Sequence, residues 1–198
     1  MSIAKISASL ALSASLLFGA AAPAMAADSP TFATFRELCV ANRANVTRVI
    51  ARADANGWDS LPAGSFDTSS LKDFTRVEVR VRTDEGLQLL LAGEGVFPMS
   101  GVDSGEMQAD LCIVGVQGGD GEQLRREAQA FTRVQPDAAE SDGDTTLWIY
   151  SDASGRRTSL SGASDADAVA AVRTGKVEAV MLETSDDLTM IGFIIPRL

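Results

Sequence analysis

The sequence predicts an α+β domain that is mainly antiparallel sheet, with an N-terminal helix and two further helices. One early segment repeats apolar residues at helical spacing, which predicts a helix. Later segments, bounded by turn residues, either alternate in polarity or are continuously apolar, which predicts strands. Two more segments of helical period lie among the strands. The expected order is α-β-β-β-α-β-β-α-β-β. Short turns between strands favour antiparallel pairing, with the helices packed on the sheet.

The first helix is expected over residues 31–55. Thr34-Phe35-Arg36-Glu37 has the form of a capping box, and Pro30 suits a first turn. Gly57 is the residue at which the helix should end, and residues 59–74 are expected to form a loop. The apolar stripe of this helix consists of Phe35, Leu38, Cys39, Val46, Val49, Ile50 and Ala53.

Three strands are expected next. Val77, Val79 and Val81 alternate with charged residues, which predicts a strand with one wet face. A turn over 83–86 leads to a second strand at Leu87–Leu91, followed by a connection rich in Gly, Pro and Ser over 93–106. A third strand is expected over 107–116.

The C-terminal half should contain two helices and four strands. Asp120 is placed to cap a helix over 121–132, and Ser164 to cap one over 165–174. An acidic loop over 137–144 precedes two strands, and a closing hairpin is expected at the end of the chain. These four strands are placed at 146–151, 157–160, 177–183 and 188–195.

The N-terminus, Met1–Ala26, has the form of a cleaved secretory signal of bacterial type. Lys5 supplies the positive charge, an apolar and small-residue run follows, and Ala24-Met25-Ala26 offers the small residues of a cleavage site. We expect cleavage after Ala26, a single domain over 27–198, and a periplasmic or secreted location. No other segment is apolar over the length that a membrane helix needs, so we expect no membrane anchor.

Composition excludes several classes of function. Without Lys5, 16 basic residues face 27 acidic ones, a net charge of −11. An acidic chain repels nucleic acid, so we expect no nucleic-acid partner. The chain has no His, which excludes the usual Ser-His-Asp and Cys-His mechanisms and removes the commonest zinc ligand.

The two cysteines, Cys39 and Cys112, survive processing. In an oxidising compartment an even pair normally forms a disulfide, which here would tie the first helix to the third strand. Two buried free thiols are the alternative.

Two loops could carry a ligand. Gly118-Gly119-Asp120-Gly121 lies between a strand and a helix, where phosphate can bind. It lacks the dinucleotide-binding and P-loop patterns, so a turn with a helix cap explains it better. Glu140 and Asp142-Gly143-Asp144 could offer oxygen atoms to calcium, but their spacing is not that of an EF-hand. We therefore expect no metal and no cofactor.

Three further patterns have simpler explanations. Ser69-Ser70-Leu71-Lys72 contains the Ser-x-x-Lys of penicillin-recognising enzymes without its companion motifs. Thr174-Gly175-Lys176 has the wrong residue order for their Lys-Thr-Gly motif and ends a helix. Trp58 and Trp148 could mark a binding face, but aromatic residues more often fill a core.

The chain resembles a poorly characterised family of small bacterial secreted proteins. The resemblance rests on Phe35-Arg36-Glu37-Leu38-Cys39, on Gly57-Trp58 at the helix end, and on Cys112 in an apolar strand that leads into Gly118–Gly121. It covers most of 32–196. It implies the architecture and a cysteine pair, and it carries no catalytic site.

The sequence therefore favours a soluble, non-enzymatic periplasmic or secreted protein that binds another protein or a small ligand. The alternative is a carboxylate-dependent hydrolase of cell wall or glycans, whose Asp/Glu pair the sequence does not identify. A cleft with two inward carboxylates roughly 5–10 Å apart would favour the hydrolase. An exposed apolar patch would favour the binding protein.

Overall fold

The structure, a computed structural model, describes residues 28–61, 74–84, 86–98 and 106–198. The predicted signal peptide and the Ser69–Lys72 segment lie outside these described residues.

The described residues form a single antiparallel sheet with helices packed on it, which confirms the α+β prediction. The sheet has eight strands in the order β1-β2-β3-β4-β8-β7-β5-β6. The helices are α1 (Pro30–Phe35), a π-helix (Arg36–Val40), α2 (Val46–Ala55), α3 (Gly121–Thr132) and α4 (Asp165–Arg173). The strands are β1 (Asp59–Ser60), β2 (Phe74–Arg82), β3 (Gln88–Pro98), β4 (Glu106–Gln117), β5 (Thr145–Ala153), β6 (Arg156–Ser159), β7 (Val177–Thr184) and β8 (Leu188–Arg197).

The single first helix expected over 31–55 is wrong, because this segment is broken into three pieces. Ser29 caps α1 by accepting a hydrogen bond from the Phe32 amide, so the capping box at Thr34 lies inside a helix. Arg43 and Ala44 both have positive φ values, 52° and 51°, and turn the chain before α2. The end of α2 agrees with the prediction, since Gly57 follows it with φ 77°.

One face of the sheet, the helical face, carries α1, the π-helix, α2 and α3. Phe35 is completely buried and makes T-shaped contacts with the rings of Phe131 in α3 and Phe193 in β8. Edge-to-face ring pairs of this kind add about 0.5–1.5 kcal/mol beyond the burial of area. The strand residues of this core include Leu90, Ala92, Cys112, Val114, Trp148, Val180, Leu182, Ile191 and Phe193.

The predicted disulfide between Cys39 and Cys112 is confirmed. It joins the π-helix to β4, with a Cα–Cα distance of 5.2 Å, and its two residues are 73 positions apart in the chain. Both cysteines are fully buried. The bond therefore fastens the N-terminal helical segment to the centre of the sheet.

Two predictions about the first strands need correction. The connection expected over 93–106 is in part strand, because β3 continues through Gly93 and Gly95 to Pro98. The wet face expected on β2 holds only in part: Arg76 is exposed, whereas Arg80 is 9% exposed and donates to Asp54 of α2 at 2.7 Å. The charged side of β2 thus lies on the helical face, and its valines lie on the opposite side.

Candidate functional site

The face of the sheet opposite the helical face is apolar across six strands; we call it the open face. Residues paired directly across antiparallel strands share a face, so the strand register defines its rows. The central row is Val79, Leu91, Ile113, Gly192, Met181 and Leu147. The rows on either side are Val81, Leu89, Gly115, Met190, Glu183 and Thr145, and Val77, Gly93, Leu111, Ile194, Ala179 and Ile149.

The open face is close-packed within its own layer. Most of its side chains are half-buried, and Leu91 and Leu111 are 9% and 7% exposed. Larger neighbours fill the gaps left by the glycines: a Cβ at Gly115 would stand 3.3 Å from Met190 Cγ, and one at Gly192 would stand 3.2 Å from Ile113 Cγ1. The surface is therefore a continuous apolar layer, in which Glu183 is the only charged residue of the three rows.

Helix α4 is the one helix of the described ranges that we place against the open face. It contacts β8, and its buried Val169 and Val172 lie outside the core cluster of the helical face. With strands about 4.8 Å apart and rows about 7 Å apart, the three rows span roughly 600 Å². This is a footprint: α4 covers part of it and most side chains of the rows are half-buried, so the exposed apolar area is smaller.

A groove of about 700 Å³ lies on the helical side between α1, α3 and the β5–β6 turn. Its lining is Asp28, Phe32, Arg36, Gln123, Arg126, Glu127, Ala130, Phe131, Arg133, Asp152, Gly155 and Arg157. Arg157 stacks on the Phe131 ring with its guanidinium carbon 4.2 Å from the centroid, and it donates to the Phe131 carbonyl. The groove thus combines charged side chains with an aromatic floor.

Each carboxylate of the groove already has a partner. Asp28 binds Arg36 at 2.6 Å and Asp152 binds Arg157 at 3.2 Å. Glu127 accepts two hydrogen bonds of 2.7 Å from Ser29, one from its amide and one from its hydroxyl. The carboxylates of the groove are thus all engaged by Arg or Ser side chains.

A carboxylate pair that the sequence did not single out lies on the helical face. Glu94 and Asp110 are directly opposite each other on β3 and β4. Burial raises the pKa of Asp110, the charge of Glu94 raises it further, and Arg197 opposes both effects. Arg197 binds Asp110 at 2.5 Å, so this carboxylate is held in an ion pair.

Two of the glycines of Gly118–Gly121 serve packing, and Gly118 has a positive φ. Asp120 caps α3 by accepting from the Gln123 amide at 2.9 Å, as expected. A Cβ at Gly119 would stand 2.5 Å from Val116, and one at Gly121 would stand 2.5 Å from Thr184. The motif lets the start of α3 approach the sheet closely.

The acidic loop is organised by its own backbone. Asp137 accepts from the amides of Ala139 and Glu140, and Asp142 accepts from the amide of Thr145. No cluster of three potential metal ligands occurs within the described residues. These carboxylates act as turn-forming groups.

The remaining candidates are structural. Trp58 and Trp148 are buried in the core, where Trp148 Nε1 donates to Gln129 at 3.0 Å. Thr174 is the C-cap of α4, and Gly175 follows it with a positive φ.

Sequence reasoning missed the open face, although a signal for it exists. Residues 89–91, 111–114 and 191–195 are almost continuously apolar. In an antiparallel sheet with one wet face, apolar and polar residues alternate, whereas continuous runs indicate strands that are apolar on both sides.

Comparison with known proteins returned no match: neither a family model, nor a curated protein, nor a solved structure resembles the chain significantly. Within the part of the chain that the structure describes, no helix is both long and apolar enough to cross a bilayer.

Proposed function

We propose that this chain is an exported, non-enzymatic binding protein that docks a partner through the open face of its sheet. The observation that supports this most strongly is the polarity of that face. An antiparallel sheet covered by helices on one side normally presents polar residues on the other. Here the three rows of the open face are apolar apart from Glu183 and Thr145.

The area of the open face is compatible with a specific interface. Standard protein interfaces bury about 800 Å² of accessible surface on each partner, and the three rows have a footprint of roughly 600 Å², part of which lies under α4. Burial of apolar surface contributes about 25 cal/mol per Å² of area removed from water, against association costs estimated at 4–15 kcal/mol. The apolar face can thus drive docking, while polar groups at its rim decide how tight and how selective the docking is.

The proposed location outside the cytoplasm rests on two observations. Met1–Ala26 has the form of a secretory signal, and the Cys39–Cys112 disulfide belongs to oxidising compartments. The resemblance to small secreted bacterial proteins agrees with this location and remains part of the proposal.

The carboxylate-dependent hydrolase has weaker support. The carboxylates of the groove are committed to Arg36, Arg157 and Ser29. The pair of Glu94 and Asp110 has one member bound to Arg197. A binding protein requires none of these groups to be free.

Site-specific photo-crosslinking tests the proposal. A photoreactive amino acid at Leu89 or Ile113 of the open face should yield a cross-linked adduct of defined mass in the native extract. The same label at Glu122, an exposed residue of α3 on the helical side, is the matched control. Adducts that form equally from all three positions, or from none, would contradict docking through this face.

A further inference from the structure

One end of the open face is strongly acidic. One end of the sheet, where β7 ends and β5 and β8 begin, carries five carboxylates that we call the acidic end: Asp142, Asp144, Glu183, Asp186 and Asp187. All but Glu183 are exposed. Among the residues that the structure describes, none of the five forms an ion pair with Arg or Lys.

The acidic end has a defined shape. The Thr184 amide donates to the Asp144 carbonyl at 2.9 Å, which joins the start of β5 to the end of β7. The Gly118 amide donates to the Asp187 carbonyl at 3.2 Å, which ties the β7–β8 turn to the segment before α3. Glu183 belongs to a row of the open face, beside Met190. The apolar layer therefore runs directly into a fixed group of carboxylates.

Charge separates the possible occupants of this surface. A second copy of the chain would bring together two molecules that each carry about −11 after cleavage, and like charges oppose association. Anionic lipid is repelled for the same reason. A polypeptide with an apolar face and flanking Lys or Arg side chains satisfies both the apolar layer and the acidic end.

We propose that the occupant of the open face is a cationic amphipathic polypeptide segment, whose apolar side covers the sheet and whose basic residues lie against the acidic end. This inference rests on the proposed function, since it names the chemistry of the partner that the open face would dock. Charges at the rim of an interface act mainly on the association rate and its salt dependence. The acidic end should therefore select and orient the partner, while the apolar layer holds it.

Three synthetic peptides of equal length test the inference. Each forms an amphipathic helix with the same Leu face, and the polar face is Lys, Gln or Glu. We expect the purified protein to bind the Leu/Lys peptide at least tenfold more tightly than the Leu/Gln peptide in a calorimetric titration at low salt. This preference should shrink as salt is added, because exposed charges are screened.

Two double variants remove the same charge from different places. The double variant Asp186→Asn with Asp187→Asn should lower the affinity for the Leu/Lys peptide several-fold and leave the affinity for the Leu/Gln peptide unchanged. Asp28→Asn with Glu122→Gln removes two charges from the helical side and should change neither affinity. An equal effect of both variants would show that only net charge matters, which overturns the role of the acidic end.

A third variant separates this inference from the proposed function. The double variant Leu89→Gln with Ile113→Thr should lower the affinity for both peptides. Circular dichroism checks that this variant keeps its fold. Suppose that the Leu/Lys and Leu/Gln peptides bind with equal affinity and that this variant lowers both affinities. That result would overturn the cationic partner and leave docking through the open face in place. Failure of every peptide to bind would overturn the cationic partner, and the crosslinking from Leu89 and Ile113 would then decide the proposed function alone. A dimer in light scattering that this variant dissociates would assign the face to a second copy.

Discussion

Gly93 of β3 faces the ring of Phe74 at the start of β2. A Cβ at Gly93 would stand 2.9 Å from Phe74 Cδ1 and 3.1 Å from the Arg76 carbonyl oxygen. Phe74 in turn makes a T-shaped contact with Phe97, with ring centroids 5.5 Å apart. The glycine thus makes room for an aromatic pair at the edge of the open face.

Gly93→Ala should destabilise the protein by about 1–3 kcal/mol, because overpacking displaces the ring and the backbone of β2. Urea unfolding followed by fluorescence measures the change. Gly143→Ala is the control, since nothing lies within 4 Å of a Cβ at Gly143. Equal midpoints for the two variants would show that Phe74 moves aside freely.

Loss of the disulfide should cost about 4 kcal/mol. The two bonded cysteines are 73 positions apart in the chain. Chain-entropy estimates for the stabilisation by a disulfide that closes a loop of this length are about 4 kcal/mol. Cys39→Ala with Cys112→Ala should lower the unfolding midpoint, and reductant should lower the midpoint of the native protein by the same amount. A native protein whose midpoint is insensitive to reductant, and whose thiols both react with alkylating reagents, would refute this expectation.

The ion pair between Arg43 and Glu178 should contribute measurably to stability. Arg43 binds Glu178 at 3.0 Å, and Glu178 is 6% exposed, opposite Tyr150 in the sheet. Arg43→Ala leaves a buried carboxylate without its cation, so we expect a loss of about 2 kcal/mol. Glu178→Gln in the Arg43→Ala background should recover part of that loss, which a double-mutant cycle measures. Simple additivity of the two substitutions would show that the pair is not coupled.

Glu37 should contribute stability that disappears in acid. Hydrogen bonds from Asn56 and then Arg52 hold the pKa of Glu37 below its ordinary value of 4.5. The interaction therefore stabilises the fold above that value and is lost as the pH falls through the lower pKa of the folded state. At pH 7, Glu37→Gln should cost about 0.5 kcal/mol, since the pair is exposed to solvent.

The pH dependence of that cost is the test. The difference between native protein and Glu37→Gln should shrink as the pH falls below 4.5 and vanish once the pH is below the lowered pKa of the folded state, as measured by urea unfolding at several pH values. Glu122→Gln is the matched control, because Glu122 is 74% exposed and its nitrogen–oxygen distance to Arg125 is 3.6 Å. A cost for Glu37→Gln that is the same at every pH would mean that its charge plays no part.

Cleavage after Ala26 remains a prediction, because this segment lies outside the described residues. Ala24 and Ala26 supply the small residues that signal peptidase requires. N-terminal sequencing of the exported protein should begin at Ala27. Recovery of Met1 on a cytoplasmic species would refute export.

The sequence alone determined most elements of this fold. The capping residues Asp120 and Ser164 marked the starts of α3 and α4, and Gly57 marked the end of α2, because caps and stops depend on local backbone geometry. The disulfide was also predicted from the sequence, since an even pair of cysteines normally forms a disulfide in an oxidising compartment, and the structure contains it.

Only the tertiary structure decided which side of each strand is covered. Alternation of polarity in β2 shows that its two faces differ, but helices can pack on either face. In the structure α2 covers the side of Arg80, and Val79 lies on the open face. That choice depends on contacts between distant residues, such as Cys39 with Cys112 and Phe35 with Phe193. The expected first helix is interrupted at Arg43 and Ala44, whose positive φ values turn the chain before α2. The two faces differ for this reason: periodicity reports how polar each side of a strand is, whereas long-range packing determines which side most of the helices cover.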